Sequence, residues 1–401
     1  MRLLCLAVAV CVSLCGCVKP EEKLLNPVNA ADTSSDVVIG AALPLTGRYA
    51  GMGSEMLNGI ECAVDMLNNN RGIAGKRVRL EIRDTAGSPE GAAAAMNAFA
   101  SGAVNAVVGG CSDAENETLA QKAEELRIPL MIACGTADTY SGQGRFVYRV
   151  TSSDTRHAEG LSSYLIHWRQ LDKMAILSNT SDARAGNMAR ITAQSFTDSG
   201  GTLLVKKEYS SAEERTAAMR GVLIYAPQII MLSAGGKEAA EMIRFLRSAG
   251  FAGIICGTDN WDSAEFFKTL GSKEGPGECC YVTSTSKEYK DDEAWLFAET
   301  FRKKYHHQPG TLAVNAADAV KLFAGCLGGN TQDIRKLKRN WVSIRNFFGA
   351  ATMYNAFPDG SADRMIFING IVPPGVADEY SAPRLIRHFL YSKLENYNID
   401  R

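Results

Sequence analysis

Residues 37–84 read VVIGAALPLTGRYAGMGSEMLNGIECAVDMLNNNRGIAGKRVRLEIRD, and they restrict the fold more tightly than any other stretch. An apolar run at 37–43 fits a buried strand. Leu57, Ile60, Val64 and Leu67 then recur at helical spacing within 54–69. Val78, Leu80 and Ile82 alternate, as one face of a strand does. The three segments make a β-α-β unit, which implies a parallel sheet with helices on its faces. The first loop, PLTGRYAGMG, is longer and richer in glycine than a plain connection requires. In open α/β sheets ligands gather outside the carboxyl ends of the strands, where this loop lies.

The alternation continues. Strands are expected at 103–108, 129–133 and 146–150, with helices at 90–100, 115–127 and from Ser153 or Asp154 through Trp168. The pattern restarts with strands at 174–177, 202–209, 229–232 and 253–256, separated by helices at 189–199, 213–223 and 237–248. A helix at 263–270 follows. Two runs of similar size mean two α/β lobes. The chain is expected to cross between them near 151–153 and again near 275–285, where a strand at 281–285 follows a Gly/Pro turn. Helices follow around 291–305, 312–327 and 333–343. Residues 347–368 then read as a hairpin about the turn Pro358-Asp359-Gly360. Residues 385–394 fit an amphipathic helix.

The leader sets the compartment. Met1-Arg2, an apolar run at 3–14 and Cys15-Gly16-Cys17 make a secretory signal, too short to span a bilayer. The sequence LCGC resembles a bacterial lipobox, which marks Cys17 for lipidation. Residues 1–17 are thus expected to be a signal peptide. Residues 18–35, polar and without period, read as a tether from the membrane to an extracytoplasmic body at the periplasm or cell surface. With 43 basic and 44 acidic residues there is no electrostatic footprint for nucleic acid. Of 11 cysteines four lie in the leader, and the remaining seven show no CxxC, so a disulfide framework is not indicated, although one or two bridges stay open.

Catalytic chemistry finds no support. The chain has no phosphate loop, no complete GxGxxG and no GxSxG. His306-His307 read as a solvated helix end, and no spaced set of metal ligands is visible, so neither a metal nor a cofactor is expected. Four strand-end loops read instead as binding elements. They are 44–53, which carries Tyr49 and Met52; 109–113 with Ser112 and Asp113; 133–138 with Cys134, Gly135, Thr136 and Ala137; and 257–262 with Asp259 and Trp261. Ser112 or Asp113 reads both as a helix cap and as part of an anion cradle at a helix N-terminus. Asp259 suits a ligand ammonium if the lobes close.

The stretch IGAALPLTGRYAGMGSEMLNGIECAVDMLNNNRGIAGKRVRLEIRDTAGSPEGAA resembles the opening of bacterial extracellular solute-binding proteins of the Leu/Ile/Val-binding type. Similar segments recur in order to about residue 370, among them AVVGGCSDAENETLA, LRIPLMIACGTAD and GFAGIICGTDNWDSAEF. The resemblance implies the type I periplasmic-binding-protein fold: a two-lobed clamp, each lobe a parallel sheet flanked by helices, with three crossovers. Lobe 1 would comprise 36–150 and 283–363, and lobe 2 151–282 and 364–401. It implies a small polar ligand, an amino acid or derivative, caught between the lobes without catalysis and delivered to an ABC permease. A sensor built on the same clamp is the alternative, and an exported α/β enzyme the third reading. The ligand carboxylate would meet Ser112 and the loop Cys134 to Ala137, its ammonium Asp259, and its side chain Tyr49, Met52 and the loop with Asp182 and Ala183. Relatives usually carry paired serines where this chain has Ser112-Asp113, and an aspartate there would repel a carboxylate. The bridge that some members form near Cys111 is absent, because Gly87 or Ser88 stands at the partner position.

Overall fold

The computed structural model describes residues 36–102, 104–140, 145–271, 277–284, 292–327, 334–350, 352–356, 359–372 and 382–390. The expectations for the leader, Cys17 and the tether lie outside them.

The chain first lays down β1 (Val37–Leu43), α1 (Ala50–Asn69), β2 (Val78–Asp84), α2 (Pro89–Ser101), β3 (Ala106–Gly109), α3 (Asp113–Leu126), β4 (Leu130–Ile132) and β5 (Val147–Arg149). These strands form a parallel sheet in the order β2-β1-β3-β4-β5. Then come α4 (Asp154–Ser163), continued by a π-turn over Tyr164–Trp168, β6 (Lys173–Asn179), α5 (Ala183–Asp198), β7 (Thr202–Tyr209), α6 (Ala212–Leu223), β8 (Ile229–Ser233), α7 (Gly236–Ser248), β9 (Ile254–Gly257), α8 (Ala264–Leu270) and β10 (Cys279–Thr283). They repeat the same parallel order, β7-β6-β8-β9-β10, in a second sheet. In sheets of this order the strand sequence reverses beside the first strand, and the loops flanking that point bind ligands.

Three helices, α9 (Asp292–Tyr305), α10 (Thr311–Leu327) and α11 (Ile334–Ser343), return to the first sheet. Phe301, Val320, Phe323 and Trp341 pack there with Ile60 and Val64 of α1 against Ile39, Ala41, Val108 and Met131. The opposite face buries Ala42, Val107, Leu130 and Ile132 under Met96, Phe99 and Leu119 of α2 and α3. Successive residues of a strand therefore feed opposite cores, as the two-residue period requires. Each such Val, Leu, Ile, Met or Phe side chain, fully buried, stabilises by about 1.5–3 kcal/mol. The second sheet is sandwiched likewise, with α6, α7 and α8 on one face and α4 and α5 on the other.

The chain closes with β11 (Phe347–Phe348), β12 (Met353–Ala356), β13 (Ala362–Val372) and β14 (Ala382–Leu390). The expected hairpin is present, since β12 pairs antiparallel with β13. The second half of β13 pairs antiparallel with β10 and with β14. The second sheet is thus mixed, not purely parallel as expected.

Two further expectations need correction. Residues 382–390 are strand, not helix. The apolar run there is short enough to suit either period, and the edge of β13 supplies the pairing partner that decides it. Helix α5 starts at Ala183 rather than Ala189, because Asp182 caps it and its carboxylate accepts from the amides of Arg184 and Ala185. The cysteines Cys62, Cys111, Cys134, Cys256, Cys279, Cys280 and Cys326 are all thiols.

Candidate functional site

The strand-end loops of the two sheets meet. The amide of Asp154, first residue of α4, donates to the carbonyl of Thr136 at 2.8 Å. The Asp138 carboxylate accepts from the Thr155 amide and hydroxyl at 3.3 and 2.8 Å. The Thr151 hydroxyl donates to the Gly135 carbonyl, and Arg149 donates to that of Ala137 at 2.6 Å. The loop after β4 is therefore moored to the first crossover and to the second lobe.

In the first lobe, Asp84 holds the base of the glycine-rich loop, accepting from the amides of Leu45, Thr46 and Ala86 and from the Thr46 hydroxyl. Tyr49 caps α1 by position, half-buried, under the Arg48 guanidinium at 5.4 Å. Met52 is also half-buried, and its Sδ accepts from the Cys111 thiol at 3.7 Å. Cys134 in turn donates its thiol to the Cys111 carbonyl at 3.6 Å. A hydrogen bond with the Cys111 side chain and burial hold the Cys134 thiol well above the usual thiol range.

The anion cradle read at 109–113 is filled from within the chain. Ser112 caps α3 and accepts from the Glu115 amide, while the Glu115 carboxylate accepts from the amides of Cys111 and Ser112 at 3.0 and 3.3 Å. The Thr85 hydroxyl donates to the same carboxylate. The Ser-x-x-Glu spacing at 112–115 is a capping-box signature that could have been read from the sequence. Burial pushes the Glu115 carboxyl up, against the pull of these three donors. Asp113 is exposed on the first turn of α3, where the helix dipole favours an acid. Asn116, fully buried, donates to the Cys134 carbonyl at 2.8 Å and so ties two of the loops together.

In the second lobe the centre is a residue that sequence reasoning missed. Arg184 stands in the first turn of α5, and its guanidinium donates to Asp259 at 2.9 Å, Asp154 at 3.3 Å and Asn260 at 2.7 Å. Asp154 of this cluster is also the residue whose amide meets the Thr136 carbonyl of the first lobe, so the cluster borders the first-lobe loops. Burial alone would raise the Asp259 carboxyl, but Arg184 outweighs it and holds the group below the usual carboxylate range. Buried His157 shares a hydrogen bond between Nε2 and the Ser284 hydroxyl at 3.1 Å, and burial depresses its protonation.

Of the other expected ligand contacts, Asp182 and Trp261 also carry structural duties. Asp182 is a helix cap and Ala183 an exposed first-turn residue beside it. Trp261 is fully buried in the second lobe, stacked on Phe266 with centroids 5.1 Å apart. Its ring lies where a Cβ on Gly257 would be, 2.1 Å away, so the loop after β9 closes over it. Tyr49, Met52, Ser112, Cys134, Gly135, Thr136 and Ala137 lie on the first-lobe loops, and Asp259 on the second-lobe side, bound to Arg184.

Residues 36–364 match the family model described as periplasmic binding protein. The chain belongs to that family. Its members work outside the cytoplasm. Among the described residues of this binding protein no helix is long and apolar enough to cross a membrane. It is 25% identical over 263 residues to the Leu/Ile/Val-binding protein BraC3 of Rhizobium johnstonii, covering 65% of this chain and 71% of the relative. A leucine-binding protein LivK from Thermotoga maritima superposes with a TM-score of 0.71 at 23% identity, covering 89% of this chain and 99% of that one. An ABC-transporter solute-binding protein of Rhodopseudomonas palustris, in complex with 3,4-dihydroxybenzoic acid, gives 0.70 at 15% identity, covering 89% and 98%. These likenesses establish the two-lobed type I clamp.

Proposed function

We propose that this binding protein captures a small polar solute, an amino acid or a derivative of one, between its lobes and delivers it to an ABC permease without chemical change. The observation that carries the reading is the meeting of strand-end loops from both sheets at Thr136 and Asp154, where Asp154 is also bound to Arg184 of the Arg184–Asp259 cluster. A solute there touches both lobes only when they are closed, so binding shifts the population toward the closed form. The first lobe comprises 36–150 and 283–363, the second 151–282 and 364–401. Tyr49, Met52, Ser112, Thr136 and the backbone of Cys134 to Ala137 line the first-lobe side, and the Asp259 loop the second. Cys17 carries a lipid that tethers the body to the membrane through residues 18–35.

The test is a thermal-shift and calorimetry screen of residues 18–401, unfolded and refolded to remove co-purified solute, against amino acids, their amides, and aromatic, oxo and hydroxy acids. A solute at about 100 times its Kd stabilises by about 2.7 kcal/mol. Absence of any shift across the panel would overturn solute capture. Retention of the full-length chain in the aqueous phase of a detergent partition, unchanged by Cys17→Ser, would overturn the lipid anchor.

A further inference from the structure

Building on the reading of the cleft as a solute site, we infer that Arg184 is the protein's own occupant of the ammonium position, and that the cleft selects 2-oxo and 2-hydroxy carboxylic acids over the matching 2-amino acids. The acceptors that gather on the second-lobe side are the carboxylates of Asp154 and Asp259 and the side-chain oxygen of Asn260. All three already accept from one guanidinium, at 3.3, 2.9 and 2.7 Å. An α-ammonium is a donor on every proton and needs such acceptors. Here it would compete for them with a cation that is never deprotonated.

The cluster presents the opposite polarity to an incoming solute. Arg184 Nε is buried and has no partner among the described residues. It is therefore a donor that requires an oxygen, and leaving it unmet carries a desolvation cost. A ketone oxygen accepts from it, and a hydroxyl accepts from it while donating to a neighbouring carboxylate. An ammonium does neither. The two aspartates outnumber the single arginine, so a second anion is unwelcome on this side. The carboxylate of the solute belongs instead against the hydroxyls of Ser112 and Thr136 on the first lobe. Asp113 is exposed there, at the helix start rather than in the cleft wall.

The experiment measures Kd by calorimetry on residues 18–401 for matched trios that share a side chain and differ only in a 2-amino, 2-hydroxy or 2-oxo group. Methyl, isobutyl, benzyl and carboxyethyl series cover the side-chain unknown. The expected result is at least tenfold tighter binding of the oxo or hydroxy acid in at least one series. Arg184→Gln should shrink or invert that ratio, since it returns Asp154 and Asp259 to an ammonium, while Arg184→Lys should retain it in part. The ratio is a readout that a loss of overall stability does not move. Equal or tighter binding of the amino acid by the wild type, or an unchanged ratio in Arg184→Gln, would overturn the inference while leaving solute capture intact. Binding of a solute outside all three classes, with none inside, would do the same. No binding by any solute would overturn both.

Discussion

Asp154 and Thr136 are joined backbone to backbone at 2.8 Å although one opens a helix of the second lobe and the other ends a strand loop of the first. The side chains around that bond reinforce it, so the mooring can be loosened selectively. Asp138→Ala, which removes the acceptor for the Thr155 amide and hydroxyl, should cost about 1 kcal/mol in urea unfolding. Thr151→Val should cost a similar amount by stranding the Gly135 carbonyl. Both should also weaken solute binding, whereas Gln228→Ala, which removes the acceptor for the Asp172 and Lys173 amides at the amino ends of the strands, opposite the cleft loops, should lower stability alone. Equal effects of all three on affinity would show that the mooring plays no part in closure.

Asp84 fixes the glycine-rich loop, and its effect depends on pH with a definite sign. Although burial would raise it, bonds from Thr46, Ala86 and Leu45 together hold the Asp84 carboxyl below its ordinary value of 3.8. A carboxyl depressed by folding adds stability that is present above the unfolded value and lost as pH falls through the folded one. Asp84→Asn should therefore destabilise by about 1 kcal/mol at neutral pH, the modest size reflecting exposure to solvent. The difference from wild type should shrink as pH falls below 3.8 and vanish only below the depressed folded value, as checked by chemical denaturation across pH.

Glu115 has the opposite sign. Burial lifts its carboxyl above the ordinary 4.5 despite the bonds from Thr85, Ser112 and Cys111. A raised group contributes stability that is complete below the unfolded value and is lost as pH rises through the folded one. The stability of the wild type relative to Glu115→Gln should therefore decline as pH climbs above 4.5. Glu115→Ala strands three donors and should cost about 3 kcal/mol. A wild-type minus Gln difference that is flat with pH would contradict this account.

Gly110 sits at φ +86°, and a Cβ there would lie 1.8 Å from Asn116 Oδ1. Gly110→Ala combines left-handed strain with displacement of the side chain that ties α3 to the Cys134 carbonyl. The expected cost is about 2 kcal/mol or more, accompanied by loss of solute binding. A variant with normal melting and normal Kd would mean that the two loops need no tie.

The fold was legible because strand and helix periods differ and recur cleanly, from β1 and α1 through β9. The errors fell where period does not discriminate. The run at 382–390 suits either element, and only the waiting edge of β13 makes it a strand. The loops of the cleft were legible as loops, through glycine and strand position. What those loops do was less so. The capping box at Ser112 and Glu115 lay open to reading, but Arg184 did not. Its partners Asp154, Asp259 and Asn260 stand 30, 75 and 76 residues away, and nothing local says where a long side chain will reach. Trp261 shares its loop with two acids, and nothing local tells that the missing Cβ of Gly257 seats its ring in the core.

Strand β13 is laddered to β12 over residues 362–364 and to β10 over 367–370. Such a ribbon resists sliding, because a slip of one residue turns every side chain to the wrong face, yet it yields readily to twist. The two halves of the protein are thus mounted on a shared axle. A turn of one half against the other would therefore be carried as twist along this one strand.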